Sequence, residues 1–282
     1  MPEKAPALRT LFNWLALDDL PEFPSGPLPA VRDAGYDGVQ FIQPLSRALV
    51  NEARALGLRV CGSGRVNTPG DAAVLASEAR DAGLECVTLH VGWGIEEDDT
   101  AGDLIRAVLD ASSRYGIDLY PETHRATIFQ DMWRTVQFVR RFPGLRFNGD
   151  FSHWYTGQEM VYGGFEKKLE FIRPVLERVR FVHGRIGNPG CMQVDVGDGA
   201  PGTREYVDHF RALWTEAFAC FLRSAGPGSS ICFTPELLGA GIYYARTFGG
   251  REESDRWAQS LVLARIAREC FDAAARNVSA GV

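Results

Sequence analysis

The sequence alternates short runs of β-branched and aromatic residues with longer segments of helical periodicity, and this alternation constrains the fold most. Glycine often stands where a helical segment gives way to a strand, because it can adopt the left-handed conformation that ends a helix. Such junctions lie at Gly35, Gly57, Gly83, Gly116 and Gly144. The pattern predicts eight strands, each followed by a helical segment, over residues 8–13, 38–42, 58–62, 85–91, 118–122, 146–150, 180–184 and 231–236.

Eight repeats of this kind average about 35 residues, which is the size of a strand, a crossover helix and two short loops. Eight such units close into a (β/α)8 barrel, whereas an open doubly wound sheet usually carries a glycine-rich phosphate turn after its first strand. The first turn here, residues 14–19, has no G-x-G-x-x-G pattern. We therefore predict one TIM barrel that spans residues 1–282 as a single domain.

Composition excludes several classes of protein. The 30 basic and 36 acidic residues give a net charge of −6, which argues against nucleic acid as a partner. No apolar segment has the length of a signal peptide core or a membrane helix, so we expect a soluble, cytoplasmic protein with no membrane partner. The six cysteines form no C-x-x-C pair, which is typical of buried, reduced thiols.

Four of the five histidines lie at one end of the predicted barrel. His90, His124, His153 and His183 lie at or just past the C-terminal ends of strands four to seven, and only His209 falls in a helical segment. Neighbouring strand ends meet at one rim of a barrel, so these side chains should converge on one cavity.

Three carboxylates occur at the same level, namely Glu122, Asp150 and Glu236. Together in one pocket they would repel each other, and a divalent cation that also binds His183 would relieve the repulsion. Three carboxylates with one imidazole suit Mn²⁺ or Mg²⁺ and permit Co²⁺ or Zn²⁺, so we expect one such ion and no organic cofactor. His124 should face the same way as Glu122, because side chains two apart on a strand share a face.

Three long loops should lie on this face of the barrel and form its walls or cover. They span residues 21–29, 187–202 and 239–250, the last with Tyr243, Tyr244 and Phe248. Trp14 and Trp154 follow strands one and six, where aromatic rings could pack against substrate or simply against the core. His90, His124 and Arg185 are placed to contact the substrate or to hold the ligands of the ion.

The ordered set Glu122, Asp150-x-x-His153, His183 and Glu236 resembles the xylose-isomerase-like TIM-barrel superfamily, which includes sugar isomerases, ketose 3-epimerases, inosose dehydratases and endonuclease IV. The resemblance implies one metal ion on Glu122, Asp150, His183 and Glu236, with His153 on a substrate oxygen. It also implies a small carbohydrate or polyol as substrate and a homodimer. Two departures are Gln40, where many members carry glutamate, and Arg185, which stands closer to the histidine of strand seven than the usual substrate-binding arginine.

The resemblance implies a chemistry as well as a fold. A metal bound to a hydroxyl and a neighbouring carbonyl acidifies the C–H between them by stabilising an enediolate, and Glu122 and Glu236 would carry the proton. We therefore predict a sugar isomerase or epimerase whose substrate contacts come from six residues: His90, His124, His153, Arg185, Trp14 and Trp154. The sequence leaves the choice between epimerisation and aldose–ketose isomerisation open.

Other functions on the same barrel were weighed. A lyase or dehydratase acting on a polyol, inosose or keto-sugar would begin with the same proton abstraction, and it stays the main alternative. An enzyme like endonuclease IV needs further zinc ligands near strands three and seven that this sequence lacks. A non-catalytic sugar-binding barrel would use aromatic walls such as Trp14 and Trp93 without needing the two glutamates.

Overall fold

The computed structural model describes residues 4–17, 20 and 22–281, and within them eight parallel strands form one sheet. All eight predicted strands are confirmed. They are β1 (Ala7–Asn13), β2 (Gly38–Ile42), β3 (Arg59–Val66), β4 (Cys86–Val91), β5 (Asp118–Pro121), β6 (Phe147–Asn148), β7 (Val179–Gly184) and β8 (Ser230–Pro235).

The sheet curves into a nearly closed barrel. Its strands follow the order β5-β4-β3-β2-β1-β8-β7-β6, and the two outer strands meet where Glu122 pairs with Asn148 in a parallel bridge. The first and last strands of the chain are neighbours in parallel register, with Ala7 opposite Ser230. This topology confirms the predicted (β/α)8 TIM barrel, while its single-domain extent over residues 1–282 stays a prediction.

Helices follow the strands and cover the outside of the barrel. They are α1 (Pro27–Asp33), α2 (Arg47–Ala55), α3 (Pro69–Asp81), α4 (Asp98–Tyr115), α5 (Met132–Arg141), α6 (Ser152–Gly157), α7 (Phe165–Phe171), α8 (Arg173–Leu176), α9 (Glu205–Ser224) and α10 (Arg256–Ala280). Short 3₁₀ turns cover Trp14–Leu17 and Ala240–Ile242, and a small hairpin joins β9 (Thr247–Phe248) to β10 (Arg251–Glu252). His209 lies in α9, as predicted.

The apolar core fills the space between the strands and these helices. Trp214 of α9 is fully buried, and its ring packs edge-on against Phe233 of β8 at 4.9 Å between centroids. Such aromatic contacts add to the burial of apolar area that holds helices onto a barrel. The cysteines are free thiols; Cys191 is half-buried and the other five are buried.

Strand β3 runs four residues beyond its predicted end at residue 62. It contains Gly62 and Gly64, and glycine usually weakens a strand. Here they allow close packing: a Cβ on Gly64 would lie 2.9 Å from a methyl carbon of Leu75 in α3. The extension carries Arg65 to the rim of the barrel. Strand β6, by contrast, is only two residues long, because its register with β7 shifts between Phe147 and Asn148.

Four of the five junction glycines adopt the predicted left-handed backbone. Gly116 ends α4 with φ of 62°, and Gly35, Gly57 and Gly83 also have positive φ. Gly144 does not, because α5 has already ended at its C-cap residue Phe142, two positions earlier.

The predicted loops are largely present. Residues 187–202 contain no helix or strand, and Gln193 within them forms an isolated bridge with Ala245 of the loop after β8. The first loop is shorter than predicted, because α1 begins at Pro27; Asp18, Asp19 and Pro21 lie outside the described residues, as do residues 1–3 and 282. No helix in the described part of the chain has the length and apolar character needed to cross a membrane.

Candidate active site

Every strand of the barrel brings a polar side chain to the same end, where the chain leaves the strand for the following helix. In the order of the strands these are Asn13, Gln40, Arg65, His90, Glu122, Asn148, His183 and Glu236. Asp150 follows two residues after β6. This is the end of the barrel at which TIM-barrel enzymes build their active sites.

The structure brings the four predicted metal ligands together. One ligand atom from each of Glu122, Asp150, His183 and Glu236 lies within 4.8 Å of the others. His183 Nδ1 is 3.1 Å from Glu122 Oε2 and 3.4 Å from Glu236 Oε1. Three of the residues are fully buried, while the side chain of Glu236 is 13% exposed. A shared cation is therefore sterically feasible.

The hydrogen bonds of His183 direct one ring nitrogen into this cluster. Its Nε2 lies 3.0 Å from Gln40 Oε1, which also accepts from Asn13 Nδ2 at 3.3 Å. The Gln40 amide nitrogen donates to Thr88 Oγ1, which fixes the orientation of the carboxamide. Because an amide oxygen only accepts, the proton sits on His183 Nε2 and Nδ1 faces the carboxylates.

Two buried atoms in the cluster lack a hydrogen-bond partner in the described structure, namely His183 Nδ1 and Glu122 Oε1. Buried polar atoms normally have partners, and leaving one without costs about 1–3 kcal/mol. Both atoms are good metal ligands and both point into the same cluster. The donor set therefore fits a divalent cation.

The charges agree with this fit. Arg185 Nη2 contacts both Asp150 Oδ2 and Glu236 Oε2, the latter at 2.9 Å. One guanidinium against three carboxylates leaves two negative charges, which a divalent ion would balance. Arg185 is fully buried and does not line the cavity, so it is a counter-ion of the ligands rather than the predicted substrate contact.

The same contacts determine which groups are ionised. Burial opposes ionisation of Glu122, but its neighbours His183 and His90 hold its pKa well below the usual range. Burial likewise opposes ionisation of Asp150, and Arg185 outweighs it and lowers that pKa. Burial lowers the pKa of His183, yet Glu236 and Glu122 raise it overall to about 10. In the metal-free protein a proton therefore competes for Nδ1.

Three imidazoles lie close to one another beside the cluster. The ring of His124 lies 4.0 Å from that of His90 and 3.7 Å from that of His153, centroid to centroid. Burial and the neighbouring His153 lower the pKa of His124 to about 2, so this ring is neutral. Its Nε2 lies 3.4 Å from the hydroxyl of Tyr244.

His90, Glu122 and His124 form a second group whose ligand atoms also lie within 4.8 Å of one another. Arg65 Nη2 lies 3.2 Å from His90 Nδ1. A guanidinium only donates, so Nδ1 accepts and the proton occupies Nε2, which faces Glu122 Oε2 at 3.5 Å. A protonated nitrogen cannot ligate, and the four-residue set fits a metal better.

A cavity of about 460 Å³ opens above the cluster, within the range of roughly 300–1,000 Å³ for small-molecule sites. Its walls include Gln43, Arg65, His90, His124, Glu236 and Tyr244. A larger cavity of about 710 Å³ lies at the other end of the barrel, beside Cys86 and Cys232, but it contains none of the predicted site residues. The chemistry therefore favours the smaller cavity.

The predicted substrate contacts divide into two groups. His90 and His124 line the cavity, whereas His153 lies beneath His124, buried, with Nε2 at 3.4 Å from Asp150 Oδ2. Trp14 is half-buried and packs on Phe41. Its neighbours in the chain, rather than Trp14, line the cavity.

Trp154 belongs to the core, contrary to its predicted role at the substrate. It is fully buried, and its indole N–H donates to the carbonyl of Phe129 at 3.0 Å. The short helix α6 begins at Ser152 and turns this side chain inward, under the site.

Known structures share this architecture. An L-ribulose 3-epimerase matches with a TM-score of 0.61 and 13% identity over 96% of this chain and 97% of its own. The probable 3-DHS dehydratase AsbF from Bacillus anthracis matches with a TM-score of 0.58 and 12% identity over 92% and 97%. A xylose isomerase-like TIM barrel protein from Mycobacterium smegmatis, in complex with magnesium, matches with a TM-score of 0.55 and 18% identity over 94% and 98%.

This chain has the xylose isomerase-like TIM-barrel fold. Comparison of its sequence with family models and with curated proteins finds no match. At these identities the likeness to solved structures is one of fold, and the chemistry must be argued from the residues of the site.

Sequence reasoning missed some residues that this fold brings to the site. Arg65 was not predicted as a site residue, because its strand was expected to end at residue 62. Gln40 was noted only as a difference from the family, many of whose members carry glutamate there. Asn148, which donates to Glu122 Oε2 at 3.0 Å, carried no recognisable signal. Tyr244 was predicted only as part of a wall, yet its ring lies 4.8 Å from the Arg185 guanidinium. The backbone of Gln193 donates to the Tyr244 carbonyl at 3.1 Å and joins the two long loops.

Proposed function

We propose that this protein is a divalent-metal-dependent isomerase or epimerase that moves a proton on the carbon next to the carbonyl of a sugar or sugar derivative. The observation that carries the proposal is the cluster of Glu122, Asp150, His183 and Glu236 beneath one cavity, with unpartnered ligand atoms on two of its members. Mn²⁺ or Mg²⁺ suits this oxygen-rich set best, and Co²⁺ or Zn²⁺ would also bind.

Glu236 is the residue best suited to remove the proton. It lines the cavity and is partly exposed, while Arg185 holds one of its oxygens in place. A metal ion bound beside it would acidify a C–H between a hydroxyl and a carbonyl of the substrate. The geometry thus supports general base catalysis by a carboxylate of fixed orientation.

Glu122, the other predicted proton carrier, has less access to the substrate. It is fully buried, and the imidazoles of His90 and His124, which line the cavity, lie within 4.8 Å of its carboxylate. A proton would reach Glu122 through one of these rings. In this proposal Glu122 is mainly a metal ligand, and His90 exchanges protons with the substrate oxygens.

The structural neighbours support this class of reaction, since one is an L-ribulose 3-epimerase. Another is a probable 3-DHS dehydratase, which keeps the lyase as the second candidate. Both reactions begin with proton abstraction, and only the lyase loses water afterwards. A small carbohydrate or polyol substrate is part of the proposal, and the homodimer and the cytoplasmic location remain predictions.

The test is incubation of the Mn²⁺-loaded protein in D₂O with ketoses, aldoses, inososes and their phosphates, followed by NMR and mass spectrometry. Deuterium incorporated at one carbon, with no other change in mass, would support isomerisation or epimerisation. Loss of water would instead indicate the lyase.

Glu236→Gln should lower exchange by about 10²–10⁴-fold, which is the usual contribution of a general base. Glu85→Gln is the matched control, because Glu85 lies at the opposite end of the barrel and pairs with Arg59. Undiminished exchange by Glu236→Gln would rule out the assigned base. Absence of exchange with every compound would count against the proposed reaction.

A further inference from the structure

The cavity contains one arginine whose charge the surrounding protein does not balance. Arg65 is half-buried in the cavity wall, and it donates from Nη1 to the Gly92 carbonyl at 2.8 Å and from Nη2 to His90. Its guanidinium stacks on the Trp93 ring at 4.0 Å. Within the described residues no carboxylate lies within 4 Å of it, so its contacts are all with neutral groups.

Arg185, which also lies near the site, differs from Arg65 because it has carboxylate partners. Arg185 is fully buried but touches Asp150 and Glu236, whose charges raise its pKa. The pKa of Arg65 is lowered instead, because burial outweighs the more distant Glu122. With a divalent ion bound, the charges of the three carboxylates, Arg185 and the ion would sum to zero. The metal cluster would then carry no net negative charge to balance Arg65.

A second polar group, the amide of Gln43, lines the same cavity as Arg65. Gln43 lies beside Gly64, and its Oε1 accepts from the backbone N–H of Leu45 at 3.1 Å. Its Nε2 is buried and has no hydrogen-bond partner in the described structure. Arg65 therefore lacks a counter-charge, the amide N–H₂ of Gln43 lacks an acceptor, and both residues line the same cavity.

From these observations we infer that the substrate carries an anionic oxygen group, a carboxylate or a phosphate ester, which binds to Arg65 and Gln43. This inference rests on the function proposed above for the same cavity. A guanidinium suits such groups because it can donate two parallel hydrogen bonds to their oxygens. The stacking on Trp93 would hold the guanidinium plane in position for that contact.

The barrel geometry also predicts where the charged group lies relative to the reacting carbon of the substrate. In the strand order, β3 with Arg65 is separated from β8 by β2 and β1, so Arg65 and Glu236 lie on nearly opposite sides of the barrel mouth. The anionic group would bind beside Arg65, and the reacting carbon would lie near Glu236 on the other side of the barrel mouth. The carboxylate or phosphate should therefore be remote from the carbon that exchanges its proton.

The test compares three unreactive ligands of equal carbon number: D-gluconate, D-glucitol 6-phosphate and neutral D-glucitol. Their binding to the Mn²⁺-loaded protein is measured by isothermal titration calorimetry. We expect at least one of the anions to bind about ten- to a hundredfold more tightly than D-glucitol, which is the effect of a hydrogen bond to a charged group. The anion that binds better identifies the group, carboxylate or phosphate.

Arg65→Met should abolish this preference, and Arg65→Lys, which keeps the charge without the paired donors, should retain part of it. Arg32→Met is the matched control, because Arg32 pairs with Asp33 on an outer helix and its loss changes the net charge equally. Equal binding of all three ligands, or an unchanged preference in Arg65→Met with native circular dichroism, would overturn the inference. Since binding requires no turnover, the preference is measurable whether or not proton exchange occurs.

Discussion

Metal binding by this protein should release a proton, and His183 should be its source. Nε2 of His183 donates a hydrogen bond to Gln40 Oε1. The second proton of the ring, which dissociates with a pKa of about 10, therefore lies on Nδ1, the atom predicted to bind the metal. A metal ion can bind Nδ1 only after that proton leaves.

The size of the effect follows from these pKa values. Below about pH 10 each pH unit should raise the apparent metal affinity tenfold, or about 1.4 kcal/mol, so the change from about pH 6.5 to about pH 8.5 is roughly a hundredfold. Other groups contribute little in this window. Glu122 and Asp150 are already ionised because their pKa values are lowered, and His124 is neutral with a pKa of about 2.

The assay is calorimetric titration of Mn²⁺ into the metal-free protein, in buffers of different ionisation enthalpy, at several pH values. We expect release of about one proton per ion. His183→Gln should bind more weakly and lose most of the pH dependence, while His209→Gln, altered in α9 and outside the site, should behave like the wild type. An affinity independent of pH in the wild type would refute the assigned tautomer of His183.

Three further outcomes are expected. The melting temperature of the metal-free protein should fall as the pH rises from about 6.5 to about 10. The pKa of His183 is higher in the folded protein than in the unfolded chain, so protonation of His183 stabilises the fold at low pH, and this contribution is lost as the pH passes the folded-state pKa. A melting temperature that does not change over this range would contradict the expectation. Arg185→Met should destabilise the protein by about 3–5 kcal/mol in urea unfolding, because Asp150 would remain buried without its counter-ion, and a loss below about 1 kcal/mol would exclude that role. Trp154→Phe should cost about 1–3 kcal/mol by leaving the Phe129 carbonyl without its donor, yet leave KM unchanged, since Trp154 does not reach the cavity.

The alternation of strands and helices in the sequence was sufficient to predict the barrel. Periodicity and glycine position are local properties, and they are repeated eight times in the chain. The same reasoning located Glu122, Asp150, His183 and Glu236, because a residue at the end of a barrel strand must face the shared rim. The metal at this site is proposed from their chemistry.

Local reasoning failed where a side chain's role depends on a partner remote in the sequence. Gln40 and His183 are 143 positions apart, and only the closed barrel brings the amide oxygen to the imidazole. Arg185 could be recognised as a charge near the ligands, but its burial against Asp150 follows from packing. Trp154 was assigned to the cavity from its position in the chain, and the turn of a short helix directs it into the core.

The sequence by itself therefore determined the barrel, the rim and the positions of Glu122, Asp150, His183 and Glu236 at that rim, because strand direction and side-chain alternation are set by the local backbone. Only the tertiary structure decided which of these side chains face the cavity and which lie beneath it. That distinction depends on hydrogen bonds and charges between strands far apart in the chain, such as the contact of Gln40 with His183, and no local pattern in the sequence shows them.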